Sequence, residues 1–110
     1  MQENQLKHIM SHNKFTELDT GERALIAGFI SKIRYVQSRR GKMILMKITD
    51  ENNNFNVVCW SEMNDRLESK GISLKEETPV RISGIKSISH IGEEQIALGK
   101  EKNCYIKILT

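Results

Sequence analysis

Ala24-Leu-Ile-Ala-Gly-Phe-Ile-Ser-Lys-Ile-Arg-Tyr-Val36 is a thirteen-residue stretch rich in β-branched and aromatic residues, with Gly28 inside it. Such a run reads as one long strand, and an interior glycine marks a bulge or a sharp coiling of that strand. Arg39-Arg40-Gly41-Lys42 follows as a turn, and Met43 to Thr49 reads as a second strand. Asp50 to Asn54 is a second turn, whose asparagines tolerate left-handed backbone angles, and Phe55 to Trp60 is a third strand. The period then changes. Ser61 suits a helix N-cap, Glu62 and Asp65 fall in the first turn, Met63 and Leu67 share a face, and Lys70 precedes Gly71. Asn64 stands where a capping box would carry Glu or Gln.

Downstream, Pro79 opens a fourth strand, Val80 to Ser87, with Gly84 inside it. A loop at Ser89 to Glu94 leads to a fifth strand at Gln95 to Leu98, and Cys104 to Leu109 reads as a last one. Upstream, Leu6, Ile9 and Met10 keep helical spacing, and Asp19-Thr20-Gly21 reads as a turn. The expected organisation is an N-terminal extension over residues 1–20 and one barrel domain over 21–110. A glycine midway along the first and fourth strands suits a small closed barrel whose long strands bend to serve both sheets. The expected fold is therefore all-β: a five-stranded OB-fold Greek-key barrel, with a helix between strands 3 and 4 and a short N-terminal helix. An SH3-like barrel has no full helix at that point.

The 110 residues are 38% hydrophobic and 28% charged, with a net charge of +3. The charge is concentrated. Six bases and no acid lie between Lys32 and Lys47, whereas eleven bases elsewhere stand against fourteen acids. That run points to a polyanionic partner, with a solvated lysine-rich hairpin as the plain alternative. The N-terminus lacks the apolar core of a secretory signal, and no apolar run approaches membrane-spanning length. Cys59 and Cys104 stand alone, 45 positions apart, so neither a disulfide framework nor a CxxC zinc site is expected. The expected compartment is the reducing cytoplasm. His8 and His12 are spaced i, i+4, but Ile9 stands where an HExxH motif needs glutamate. No phosphate loop, nucleophile elbow or Cys/His dyad is visible, and the adjacent acids Glu76-Glu77 and Glu93-Glu94 diverge on a strand. No catalytic residue, metal, cofactor or small-molecule substrate is expected.

The run Ile26 to Arg34, then Arg40-Gly-Lys-Met43, Met46-Lys-Ile-Thr-Asp50 and Phe55-Asn-Val-Val-Cys-Trp60, resembles a family pattern. It is that of the nucleic-acid-binding OB domain of the bacterial DNA polymerase III alpha subunit. The resemblance covers roughly residues 20–90, and Gly-Lys-Met and Ile-x-Asp are its most specific pieces. Anticodon-binding OB domains of class II aminoacyl-tRNA synthetases are wider relatives. No proline separates Lys42 from Met43, Asn53 or Asn54 replaces the usual hairpin glycine, and Leu45 stands where synthetase domains carry a stacking aromatic. The resemblance implies binding, not nucleotidyl transfer, and a place on the nucleoid in DNA replication.

OB barrels bind single strands across strands two and three, between the loops joining strands 1–2 and 4–5. With Met46 and Ile48 in the core, alternation turns Leu45, Lys47 and Thr49 to the groove; with Phe55 and Val57 inside, it turns Asn56, Val58 and Trp60 there. Asn56 could hydrogen-bond a base edge and Trp60 could stack a base, unless Trp60 packs into the strand–helix junction instead. Lys32 and Arg34 share one face of the first strand, while Tyr35 has core parity. Arg39, Arg40 and Lys42 occupy the first loop, in reach of phosphates. His90, in the second loop, could stack or donate, or simply face solvent. Glu93 and Glu94 beside it repel phosphate, which steers a strand toward the first loop. The low aromatic content favours weak, electrostatics-led binding. Single-stranded DNA is the expected partner, with RNA or tRNA close behind. A module bridging replication proteins is the alternative of a different class.

Overall fold

In the computed structural model, residues 9–39, 41–51, 53–99 and 103–109 are described. The elements are α1 (His12–Glu17), β1 (Arg23–Ser38), β2 (Gly41–Thr49), β3 (Asn54–Cys59), α2 (Ser61–Ser69), β4 (Pro79–Ile88), β5 (Glu94–Leu98) and β6 (Tyr105–Ile108). β1 pairs with β2, β2 with β3, β3 with β5, β5 with β4, and β4 back with β1, so five strands close a ring. All these pairings are antiparallel except β3–β5, where Val57–Cys59 run parallel to Ile96–Leu98. The five-stranded expectation holds for the ring, and β6 is an addition to it. β6 takes the stretch Val80–Ser83 of β4, continuing along the edge that β5 occupies from Ile85 to Ile88.

β1 makes closure possible because it serves two partners in succession. Arg23 to Phe29 pair with β4, and Phe29 to Ser38 pair with β2. The bulge expected at Gly28 falls instead between Ile30 and Lys32, leaving Ser31 out of register. Ser31 Oγ donates to the Lys47 carbonyl at 3.0 Å, which fixes the irregularity. Gly28 has a different job. A Cβ built there would lie 2.6 Å from the Thr49 carbonyl oxygen, so β1 crosses the end of β2 at backbone contact. Gly84 plays the same part on β4, where a Cβ would meet Ile96 Cγ2 at 2.6 Å and the Ala97 oxygen at 2.8 Å. Both glycines are thus set by close approach of another strand.

Inside the ring, Ile26, Ile30, Ile48, Val80, Ile82 and Ile96 are fully excluded from water. α1 covers part of this core. Its Ser11 cap accepts from the Lys14 N–H at 3.2 Å, which starts this helix at His12. The helical spacing expected of Leu6, Ile9 and Met10 reaches outside the described residues, which begin at residue 9; Met10 donates its N–H to the Leu25 carbonyl at 2.9 Å. Phe15 packs edge-on against Phe55 at 5.5 Å between centroids. The other end of α1 is held by Lys86, which is 2% exposed. Its ammonium donates to the carbonyls of Phe15, Thr16 and Leu18 at 3.0, 3.1 and 2.8 Å and pairs with Glu94 at 2.6 Å. A buried charge is tolerated when it is paired and hydrogen-bonded in this way, and a cation suits a helix C-terminus.

α2 differs from the sequence expectation at its start. Trp60, not Ser61, is the N-cap residue, and no side chain caps the helix. The reason is the ladder: the Trp60 N–H still donates to Leu98 at 2.9 Å, so residue 60 ends the extended segment and Ser61 is already helical. Asn64 is buried and donates from Nδ2 to the Lys42 carbonyl at 3.3 Å, tying α2 to β2. Met63 and Leu67 share the buried face as their spacing requires. No helix among the described residues is long and apolar enough to cross a membrane.

Two measurements test these features. Gly28→Ala should cost about 1–3 kcal/mol in urea unfolding, because the added methyl meets backbone rather than a yielding side chain. The second concerns Cys59, whose thiol is pushed from an ordinary 9.0 to about 12 by burial, with Cys104 adding to the effect. Between those values the unfolded chain has lost a proton that the folded chain keeps, so stability falls as pH rises from 9 toward 12. The slope approaches about 1.4 kcal/mol per pH unit, and Cys59→Ala should remove that share of the alkaline loss.

Candidate nucleic-acid interface

Alternation on β2 and β3 sorts the side chains as their sequence implies. Ile44, Met46 and Ile48 enter the core, as do Phe55, Val57 and Cys59. Leu45, Lys47, Asn56, Val58 and Trp60 have the opposite parity. The register sets Arg34 of β1 beside Leu45, and Leu45 beside Val58. The next row places Lys32 beside Lys47 and Lys47 beside Asn56. Two cross-strand rows therefore carry a base at one side and groove residues at the other.

Over this face lies a groove of about 730 Å³, closed on its far side by the β4–β5 loop. It brings together Arg34, Leu45, Asn56, Val58, Trp60 and His90, six of the residues picked out from sequence. Trp60 is half-buried, so it neither disappears into the strand–helix junction nor stands free. Val58 differs from its neighbours: it is 2% exposed and forms the groove floor. Leu45 is half-buried and His90 is exposed.

The remaining selections are placed elsewhere. Lys32 and Lys47 face one another across β1–β2 on the groove side but do not line the groove. Arg39 is exposed in the hairpin turn, and Arg40 lies outside the described residues. Lys42 is on the opposite face. β2 begins at Gly41, so Lys42 sits in the strand opposite Gln37 with the parity of Ile44, not in a loose loop. Its ammonium lies 5.3 Å from the ring centroid of Tyr35. Tyr35 has the core parity expected of it yet is 45% exposed, because the hairpin extends beyond the barrel body.

Sequence reading missed Val36, Met43, Ile88, Ile91 and Gln95, which also line the groove. Val36 and Met43 follow from carrying the alternation two residues further up the hairpin. Ile88 and Ile91, 47% and 69% exposed, depend on how the β4–β5 loop folds over the sheet. The acids separate as well. Glu94 turns toward Lys86, which leaves Glu93 as the carboxylate on the groove wall. Among the described residues no three His, Cys, Asp or Glu side chains gather around a common metal position.

Residues 24–98, which span the closed ring from β1 to β5, match the tRNA anti-codon family model, described as an OB-fold nucleic acid binding domain. The chain belongs to that family. A search of curated proteins found no match. Among solved structures, a chain described by the words "Structural mimicry for functional antagonism" superposes with a TM-score of 0.70 at 20% identity, covering 94% of this chain and 46% of its own. The p204 HINb domain gives 0.67 at 10% identity over 96% and 49%. Rim1, a mitochondrial single-stranded DNA binding protein from S. cerevisiae, gives 0.59 at 13% identity over 84% and 97%. This chain spans about half the length of the first two. At such identities the likeness is one of fold.

Floor and rim of the groove should answer differently to a charge. Val58→Asp buries an unpaired carboxylate and should cost about 4 kcal/mol or more, whereas Leu45→Asp, at a half-buried position where the carboxylate can reach water, should cost about 1 kcal/mol. Urea unfolding of the two variants checks the contrast.

Proposed function

We propose that this OB domain binds single-stranded nucleic acid, DNA foremost, with little sequence preference. The observation carrying the reading is the meeting of Trp60, Asn56 and Arg34 in one groove, with Lys32 and Lys47 at its side. In it Trp60 stacks a base, Leu45 and Val58 give bases an apolar floor, and Asn56 hydrogen-bonds a base edge. Lys32, Arg34, Arg39 and Lys47 neutralise phosphates along the β1–β2 side, away from Glu93. Stacking and phosphate contacts are available to every base, so the binding tolerates sequence. The family's description as a nucleic acid binding domain supports this, as does the shared fold of Rim1, itself a single-stranded DNA binding protein.

The resemblance of residues 20–90 to the polymerase III alpha subunit supports a finer reading. The domain then serves replication on the nucleoid in the cytoplasm, beside or within a polymerase, without catalysing the reaction. A second reading draws on the exposed Ile88 and Ile91 at the groove lip: apolar side chains there suit a protein partner, so that the module bridges replication proteins.

Titration of Trp60 fluorescence with oligo-dT at several salt concentrations tests the proposal. Quenching is expected, and log affinity should fall with log salt at a slope of about −3, from four bases at about 0.7 each. Arg34→Ala should make that slope shallower by about 0.7. Equal affinity for oligo-rU would assign the groove to either nucleic acid. Absence of binding at low salt sinks the proposal and leaves the protein-bridging reading.

A further inference from the structure

The β1–β2 hairpin has a second face that the groove does not use. Arg34 and Tyr35 are consecutive on β1 and so point to opposite sides of it. On the Tyr35 side a hollow of about 290 Å³ opens between the hairpin, α2 and the segment that follows it. Tyr35, Lys42, Ile44, Leu67, Glu68 and Ile72 are among its walls, and none of them lines the groove. Tyr35 contributes an exposed ring with the Lys42 ammonium 5.3 Å from its centroid, and its hydroxyl bonds to none of the described residues.

We infer that this hollow is a second subsite for single-stranded nucleic acid, with one base stacked on Tyr35 and the neighbouring phosphate met by Lys42. The inference rests on the nucleic-acid reading of the groove, and it adds a path: the strand leaves the groove near Arg34 and passes around the hairpin to its other face. The edge it crosses suits that path. Beyond Phe29, β1 is paired with β2 alone among the described strands, so its outer edge from Lys32 to Val36 presents backbone N–H groups to a passing phosphate. Arg39 is exposed at the hairpin tip, adding positive charge to the turn. Within the hollow, Glu68 disfavours phosphate and favours an uncharged ring. The volume lies just under the roughly 300 Å³ at which pockets begin to enclose a whole ligand, which fits one base with its sugar and phosphate outside.

The test uses the full chain and a ladder of oligo-dT from about 4 to about 16 nucleotides, the span of OB-domain site sizes. Wild-type affinity should step upward once the oligomer is long enough to round the hairpin. Tyr35→Ala should remove that step, about a tenfold loss on the longest oligomers, and leave the shortest unaffected. Tyr35→Phe should keep it. Lys42→Gln should make the salt slope shallower by about 0.7 for long oligomers only, and it stands as the independent variant should Tyr35→Ala melt early. If both variants bind like wild type at every length while Arg34→Ala still weakens binding, the hollow holds no nucleotide and the groove reading survives. If Tyr35→Ala weakens short and long oligomers alike, Tyr35 supports the groove and the second subsite is overturned. A wild-type chain that binds no oligomer removes both readings together.

Discussion

The continuity of β1 through its bend is the constraint from which the rest of the molecule follows. One strand must leave β4 and join β2 without a break, and it does so where Gly28 lies against the Thr49 carbonyl. A side chain at that point would push the strands apart. The extra residue at Ser31 then adds local twist where β1 passes from β4 to β2. What emerges is a ring with an arm: Val36 to Ser38 and Gly41 to Met43 extend past the last rung of β2 with β3. The basic residues lie on that arm and at its root. The groove therefore has a rigid floor supplied by the ring and a charged side supplied by the hairpin.

Most of this architecture could be read from the chain. Alternation around Ile44, Met46 and Ile48 and around Phe55 and Val57 assigned both faces of β2 and β3, because a half-buried strand has a strict period of two. The order of strands and the helix after β3 led to the ring. Legibility ended where a side chain's position depends on partners distant in sequence. Lys42 looked like a loop residue because Gly41 looked like the middle of a turn; pairing begins at Gly41 and puts Lys42 on the far face. Ser61 looked like a cap because Ser is a good one, but the β3–β5 ladder holds residue 60 extended and shifts the helix start by one. Glu93 and Glu94 looked equivalent until Lys86, eight positions before Glu94, drew that carboxylate away.

Lys86 also shows why the segment before β1 belongs with the barrel. A single ammonium serves as the terminus of α1, the partner of Glu94 and a cation beside the Phe15 ring at 5.0 Å. Sequence offers little sign of this, since a lysine on a strand ordinarily reads as a solvent-facing residue. The groove and this lysine meet at the same end of one short element: Glu94 opens β5 and turns to Lys86, and Glu93 precedes it on the groove wall. The loop bearing His90 and Ile91 is thus anchored on one side by the ion pair of a buried lysine with a part-exposed glutamate.

Ring closure by β1 and β4 also bears on how the chain acquires its structure. Arg23 finds Ile85 as its partner, some sixty residues along the chain, whereas β1 and β2 meet across a tight hairpin. The local hairpins can form within microseconds, but the joining contact has to wait for a long loop to close. Folding should therefore be limited by this one late encounter and proceed on the slower, millisecond-to-second scale of non-local β topologies. During synthesis the hairpin carrying the basic residues can form early, while the barrel beneath it stays open until β4 and β5 have emerged.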